Sequence, residues 1–553
     1  MLVGVWKAVG RVVARAGALV EVFGSPALRR VELAWAGYYV AEWASFVAFS
    51  VYAYGFGGAT AVGVLGLVRT LPAAVCVPFG TALADRRRRE RVLRSIQAVR
   101  AVTLGSAAGV LAAGGPHWLV FLFAGLTSAG GAAYRPATLA LLPLLARAPQ
   151  ELVAANVSAS TFEGFALLVG PALAGIVLTI GGSDIVLLLA AGICAWGALL
   201  VARIPPGPFV PTRSGGPLAD LAAGVRTLVR EPNSRLIVLL FACQAFVRGL
   251  LNVLLVVTAF RLLNVGESGV GFLNASLGAG GLAGGLVGLG LVGRRRLARP
   301  FAAALVMWGA PIALIAAWPH TEWTITCLAI VGAGNAILDI CGFTLIQRGI
   351  DDAVLARVFG VFEILVITAV GTGSILGSLL VSQLHLRTAL IVTGCLLPAL
   401  AALTFARLRA VDTATDVPEH ELDLLASTPL FRPLPPTTLE RLATHLQPLN
   451  ATAGTELIRE GDAGDLFYLI ASGHVEVTQH GDHVADLGPR DYFGEIALLH
   501  NVPRVATCTT TTPSHLYTLA RQRFVNAVTG HTTSASEIET VITQRLTELN
   551  AHT

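Results

Sequence analysis

Hydrophobic and polar positions follow two regimes along this chain. From Val31 to Phe405, long apolar runs recur with short polar stretches between them, and a helix of about 20 such residues crosses the hydrocarbon core of a bilayer. The pattern predicts twelve spans, at 31–54, 60–83, 96–114, 117–140, 155–180, 184–203, 235–260, 268–292, 300–318, 322–345, 355–383 and 387–406. Leu422 to Leu446 reads as helical with a break at Pro433 to Pro436, and from Leu457 the period shortens to that of strands. Leu466 to Ile470 and His474 to Thr478 flank Ala471-Ser472-Gly473, which reads as a hairpin. Val484 to Leu487 and Ala506 to Thr511 continue the strand pattern, and Gly461 to Gly464 reads as a turn. Ser534 with Glu537 reads as the cap of a last helix that carries Ile538, Val541, Ile542, Leu546 and Leu549 on one face.

Composition sharpens this division. The 553 residues are 54% hydrophobic and only 13% charged, with mean hydropathy +0.69, whereas soluble domains carry about 25% charged residues. The net charge of +5 conceals a split. Val411 to Thr553 holds 8 Lys and Arg against 18 Asp and Glu, which leaves 31 against 16 for the rest. An acidic soluble tail follows a basic membrane part, so nucleic acid is not an expected partner. Charges at Lys7, Arg11 and Arg15 make residues 1–29 read as an amphipathic cytosolic segment rather than a cleaved signal. Lys7 is the single lysine among many arginines, a bias that suggests a GC-rich bacterial genome. None of the seven cysteines forms a C-x-x-C pair, and six lie in apolar runs as small buried residues.

Arginines crowd alternate loops: Arg29 and Arg30, Arg86 to Arg89, Arg147, Arg203, Arg226 and Arg230, Arg294 to Arg296, Arg348 and Arg357, then Arg407 and Arg409. The positive-inside rule places that side in the cytosol, and an even span number returns both termini there. The expected setting is a plasma or inner membrane, crossed many times. The Pro- and Gly-rich loop 205–234 separates one six-span half, 30–204, from a second, 235–408. A short linker, 409–421, leads to a soluble domain at 422–553.

Leu83-Ala84-Asp85-Arg86 resembles the motif between spans two and three of the major facilitator superfamily, with Thr81 and Arg88 in place of its glycines. The resemblance implies the twelve-helix, two-half facilitator fold and a cytosolic latch using Asp85, Arg86 and Arg89. Gly170-Pro171 with Gly175 resembles the packing motif frequent in exporters of that family, nearest in flavour to the bacterial drug and siderophore branch; by physics alone it marks a close helix approach.

Seven ionisable residues interrupt the apolar runs: Glu42, Arg69, Arg135, Glu163, Arg248, Asp339 and Glu363. Each costs roughly 2.5–3.5 kcal/mol at a helix centre on insertion scales, so they pair or line a wet path. Four acids face three bases, and the expectation is that one acid carries a proton coupled to transport; the alternative is a set of static ion pairs. His117, His320 and His385 lack ligand spacing, so no metal is expected. No G-x-x-x-x-G-K-[ST] loop and no nucleophile motif occurs, which argues against ATP as an energy source and against an enzyme.

The most specific chemistry lies in Tyr492 to Thr507, YFGEIALLHNVPRVAT. Gly494 lets backbone approach a ligand, Glu495 to Leu499 read as a helical turn whose first N–H groups suit an anion, and Arg504 supplies a planar cationic fork. The stretch resembles the phosphate-binding cassette of cyclic-nucleotide-binding domains, as in cAMP-dependent kinase regulatory subunits and bacterial catabolite activators. The resemblance implies an eight-stranded β-roll with flanking helices. Glu495 would bind the ribose 2′-hydroxyl and Arg504 the cyclic phosphate, with N–H groups near Ile496, Ala497 and Val505 on phosphate oxygens. It implies cAMP as regulatory ligand, because Val505 has no hydroxyl for guanine, and a last helix that acts as a lid, unless it serves for docking or homo-oligomers. The expected function is cAMP-regulated, proton-coupled export of a small amphipathic molecule. The alternatives are a ligand-free oligomerising tail, a nucleotide sensor on a non-transporting scaffold, or a lipid or lysolipid flippase.

Overall fold

The computed structural model describes residues 25–145, 149–204, 216–291, 296–350, 352–414, 419–431, 434, 436–500 and 502–529. The expected N-terminal amphipathic segment up to residue 24 and the expected lid helix beyond residue 529 lie outside the described residues. The chain divides into two compact units, the second made of Gln347–Leu355 and Val411–Thr553.

Helices build the first unit. In chain order they are α1 Pro26–Arg86, α2 Arg89–Ala112, α3 His117–Gly131, α4 Tyr134–Leu145, α5 Pro149–Ile180, α6 Ser183–Ala202, α7 Pro217–Arg230, α8 Pro232–Val257, α9 Gly266–Gly288, α10 Ala298–Ala317, α11 Thr321–Gly349, α12 Asp352–Gln383 and α13 Leu386–Ala414. Among the described residues ten stretches are long and apolar enough to cross a membrane, against the twelve spans expected from the sequence. The difference arises at two places. The first two expected spans form one element bent at Gly57 and Gly58, where Gly58 has φ +59. The fourth is interrupted between Gly131 and Tyr134, leaving helices of 15 and 12 residues.

The segment expected as the inter-half loop contains α7. Its start carries Pro217 and Asp220 and its end Arg230, the polarity that suits a helix macrodipole. Arg357 Nε of α12 lies 3.2 Å from Asp220 Oδ1, tying α7 to the second half. The glycines of the span-five motif have packing roles. A Cβ on Gly170 would meet Trp43 Cβ at 2.7 Å, and one on Gly175 would meet Ser268 O at 3.0 Å. Thus α5 packs closely on α1 with one glycine and on α9 with the other.

The second unit is a roll of two four-stranded antiparallel sheets. Helices α14 Glu419–Ser427 and α15 Pro436–Ala443 precede β1 Gln447–Ala451, β2 Glu456–Ile458, β3 Leu466–Ser472, β4 Val475–Gln479, β5 Asp482–Leu487 and β6 Tyr492–Phe493. Then follow α16 Glu495–His500, β7 Thr507–Thr510, β8 Ser514–Ala520 and α17 Arg521–Thr529. The strand orders are β1-β8-β3-β6 and β2-β7-β4-β5. The expected hairpin of β3 with β4 is therefore corrected: these neighbours in sequence belong to opposite sheets, and Gly473, at φ +96, turns the chain from one to the other. The hairpin is β4 with β5, closed by His480 and Gly481 at φ +53 and +93, a pair of positive angles that matches the strand twist of a tight hairpin. Phe431, Phe467 and Phe524 are fully buried and join α17 and the segment after α14 to one sheet. Ile458, Ile470, Val475, Phe493 and Leu516 fill the space between the sheets.

Candidate functional site

The roll encloses a cavity of about 360 Å³ that gathers all six residues expected to bind nucleotide: Gly494, Glu495, Ile496, Ala497, Arg504 and Val505. The chain enters from β6, turns at Gly494 with φ +88, and runs directly into α16. A Cβ at Gly494 would stand 2.6 Å from Arg504 Nη1, so both the backbone angle and the space call for glycine. Arg504 is 6% exposed and Glu495 3%. Arg504 donates from Nη1 to Gly494 O at 2.9 Å and from Nη2 to Leu466 O at 2.7 Å. Two neutral carbonyls thus orient the fork without neutralising it. Burial pulls the guanidinium down from the ordinary arginine value, and Tyr468, Cys508, Asp465 and Glu495 pull it back.

The Gly461–Gly464 turn does more than reverse the chain. Gly461 N donates to Arg504 O and Arg504 N donates to Asp462 O, each at 2.8 Å, while a Cβ on Gly464 would meet Arg504 Cζ at 3.0 Å. This turn clamps the arginine's backbone and bounds its side chain. The sequence pattern marks the turn but does not tie it to Arg504, which lies some 40 residues away along the chain. The rest of the wall is apolar: Ile458, Val477, Val484 and Leu487 from the β2–β7–β4–β5 sheet. Cys508 also lines it, and burial pushes its thiol up to about 12, so it is neutral. Among the described residues the cavity thus offers one cation, one carboxylate and a greasy flank.

In the membrane unit the expected charges fall into separate groups. Glu42 takes Arg69 Nη2 on one oxygen at 2.7 Å and Arg100 Nη2 on the other at 2.6 Å. Arg100 was not among the seven expected residues; it is fully buried on α2, with its guanidinium 4.4 Å from the Tyr38 ring centroid. Its place inside the expected third span was the available signal. Arg135 and Glu163 stand 3.8 Å apart. Asp339 accepts from Asn335 Nδ2 at 2.9 Å, and Asn335 Oδ1 accepts from Gln244 and Trp308. Among the described residues neither Glu363 nor Arg248 makes an ion pair, and Arg248 lies over Trp43 at 5.4 Å. Of the latch motif, Asp85 and Arg86 end α1 and Arg89 begins α2; the side chains of Asp85 and Arg86 lie outside the described residues.

A helical membrane unit followed by a β-roll with an arginine-bearing cassette defines a facilitator-type protein with a nucleotide-binding appendage. The chain belongs to the Major Facilitator Superfamily, whose model matches residues 33–367 and 237–459. The model of the cyclic nucleotide-binding domain matches residues 448–531. The chain is similar to a cAMP-dependent protein kinase regulatory subunit of Eremothecium gossypii, 38% identical over 157 residues, covering 28% of this chain and 34% of that protein. A regulatory subunit of the same name from Dictyostelium discoideum is 48% identical over 91 residues, 15% of this chain and 28% of that one. The acetyltransferase Pat of Mycolicibacterium smegmatis is 43% identical over 93 residues, 16% and 28% of the two chains. The chain spans about a third of the length of these curated relatives.

Proposed function

We propose that this chain is a secondary transporter whose flux is set by cyclic AMP held in the roll. The observation that carries the reading is the convergence of Arg504, Glu495 and Gly494 in one cavity, with the guanidinium held by neutral carbonyls. So held, the cation keeps its charge for a cyclic phosphate. In this reading Glu495 accepts from the ribose 2′-hydroxyl, N–H groups near Ile496, Ala497 and Val505 meet phosphate oxygens, and the apolar flank takes the base. Adenine is favoured because Val505 offers guanine no hydroxyl, and two of the relatives above carry cAMP in their names. The roll and both termini are assigned to the cytosol, where the arginine-rich loops also belong. Regulation requires cAMP to bind two transporter states with different affinity.

Within the membrane we assign the coupled proton to Asp339. It lines a cavity and is held by a neutral amide, whereas Glu42 is already held by two cations. The proposed direction is export of a small amphipathic molecule. The test uses full-length protein in nanodiscs and proteoliposomes. Calorimetry is expected to show cAMP binding that Arg504→Ala removes, and flux is expected to change when cAMP is added on the roll side. No heat at saturating cAMP sinks the nucleotide assignment, and flux indifferent to bound cAMP sinks the regulatory one.

A further inference from the structure

Two adjoining cavities lined by described residues of the membrane helices, of about 310 and about 220 Å³, share Trp43, Arg248 and Asn252. Their charges do not balance. Among the described residues the larger is lined by Arg69, Arg100 and Arg248 against a single carboxylate, Glu42. Both oxygens of that carboxylate are occupied by Arg69 and Arg100. The smaller cavity adds Asp339, so three arginines face two carboxylates across both. Arg135, Glu163 and Glu363 line neither. A carboxylate can discharge itself by taking a proton, but a guanidinium cannot lose one at any ordinary pH. Excess cationic charge in a low-dielectric interior is therefore relieved only by an anion.

Arg248 is the point at which that anion can be met. It is half-buried, makes no ion pair with a described carboxylate, and rests its guanidinium 5.4 Å from the centroid of the Trp43 ring. Arg100, by contrast, is fully buried, and Arg69 is nearly so. They supply positive potential rather than a contact surface. Apolar area lies beside the charge, from Trp43, Phe46, Ile367 and Val370.

We propose that the membrane cavities select an organic anion, a carboxylate or phosphate on an apolar body, with the anionic group on Arg248. Calling it the transported substrate rests on the transport reading above; its binding does not. The test compares three ligands sharing one apolar body, naphthoate, naphthyl phosphate and naphthylmethylammonium, bound to the full chain in nanodiscs. An excess of unlabelled cAMP blocks the roll. The two anions are expected to bind at least tenfold tighter than the cation. Arg248→Gln is expected to remove at least tenfold of anion affinity, and Arg248→Lys to keep most of the preference. A lysophosphatidate arm separates sources: tighter binding of lysophosphatidate than of naphthyl phosphate marks a lipid headgroup, and the reverse order marks a soluble anion. Equal or tighter binding of the cation, no anion binding at millimolar concentration, or unchanged anion affinity in Arg248→Gln overturns the proposal. Anion binding without proteoliposome flux leaves it standing and removes the transport reading, whereas flux that prefers the cation does the reverse.

Discussion

The chain holds buried charge in two different ways. In the roll, Arg504 is fixed by the carbonyls of Gly494 and Leu466, and its charge is left unspent. In the membrane unit, Glu42 is fixed by two guanidiniums, and its charge is consumed. Neutral partners orient an ion for something yet to arrive. Charged partners lock helices together, here α1 to α2. Asp339 belongs with Arg504 in this comparison: Trp308 can only donate, so Asn335 must present its oxygen there and its NH₂ to Asp339, which is thus aimed by an amide and, among the described residues, makes no ion pair.

The comparison breaks most visibly if Glu42 can be lost cheaply. Removing one partner of a buried ion cluster costs about 3–5 kcal/mol, because the orphaned charges stay in the interior. Glu42→Gln strands two arginines at once, and the expected outcome is a clear fall in the melting temperature of the detergent-solubilised protein. An unchanged melting temperature would make the cluster dispensable and the contrast with the roll empty. Next in size is Arg504→Ala. Hydrogen bonds to a charged group are worth roughly 1.5–3 kcal/mol each, so loss of the fork should weaken cAMP binding by about a hundredfold or more in calorimetry. Arg504→Lys should recover little, since an ammonium cannot reproduce a planar pair of donors. Its melting temperature should move far less than that of Glu42→Gln.

Asp339→Asn sharpens the same contrast, because the amide keeps the shape and removes the titration. Proton-coupled accumulation in proteoliposomes is expected to vanish while downhill exchange of substrate persists. Preserved coupling would return Asp339 to a structural role. Smaller again is Gly494→Ala. The left-handed angle and the 2.6 Å approach to Arg504 Nη1 should together displace the fork; about 1–2 kcal/mol for a strained φ translates to a five- to thirtyfold loss of cAMP affinity by calorimetry.

How much was legible follows from the range of the interactions. The cassette is local: β6, α16 and the arginine occupy one short stretch, so its six residues are legible in the sequence, and they line one cavity. Its supports are not local. Leu466 lies 38 residues from Arg504, and no spacing rule connects them. Arg100 carries a local signal in its place inside the third expected span, but its partner does not: it meets Glu42 from 58 residues away through the packing of two helices. Strand alternation announced β3 and β4 but is silent on partners, which is why a change of sheet was read as a hairpin. The helix α7 hid in a loop whose Pro and Gly content masked its ordered charges.

The smallest expected effect tests the identity of the ligand. Val505 lines the cavity next to Arg504, and the neighbouring wall is apolar through Ile458, Val477 and Leu487. A base edge facing that wall finds, among the described residues of the sheet, only the weak donor of the Cys508 thiol, so discrimination between adenine and guanine rests on what guanine fails to obtain. Val505→Thr is nearly isosteric and adds one hydroxyl. A single neutral hydrogen bond contributes about 0.5–1.5 kcal/mol net, so cGMP affinity should rise roughly two- to tenfold while cAMP affinity holds. Competition binding with both nucleotides on the same preparation reads the ratio directly. If the ratio does not move, Val505 does not face the base, and the selectivity of the roll must come from the wall strands rather than from the cassette.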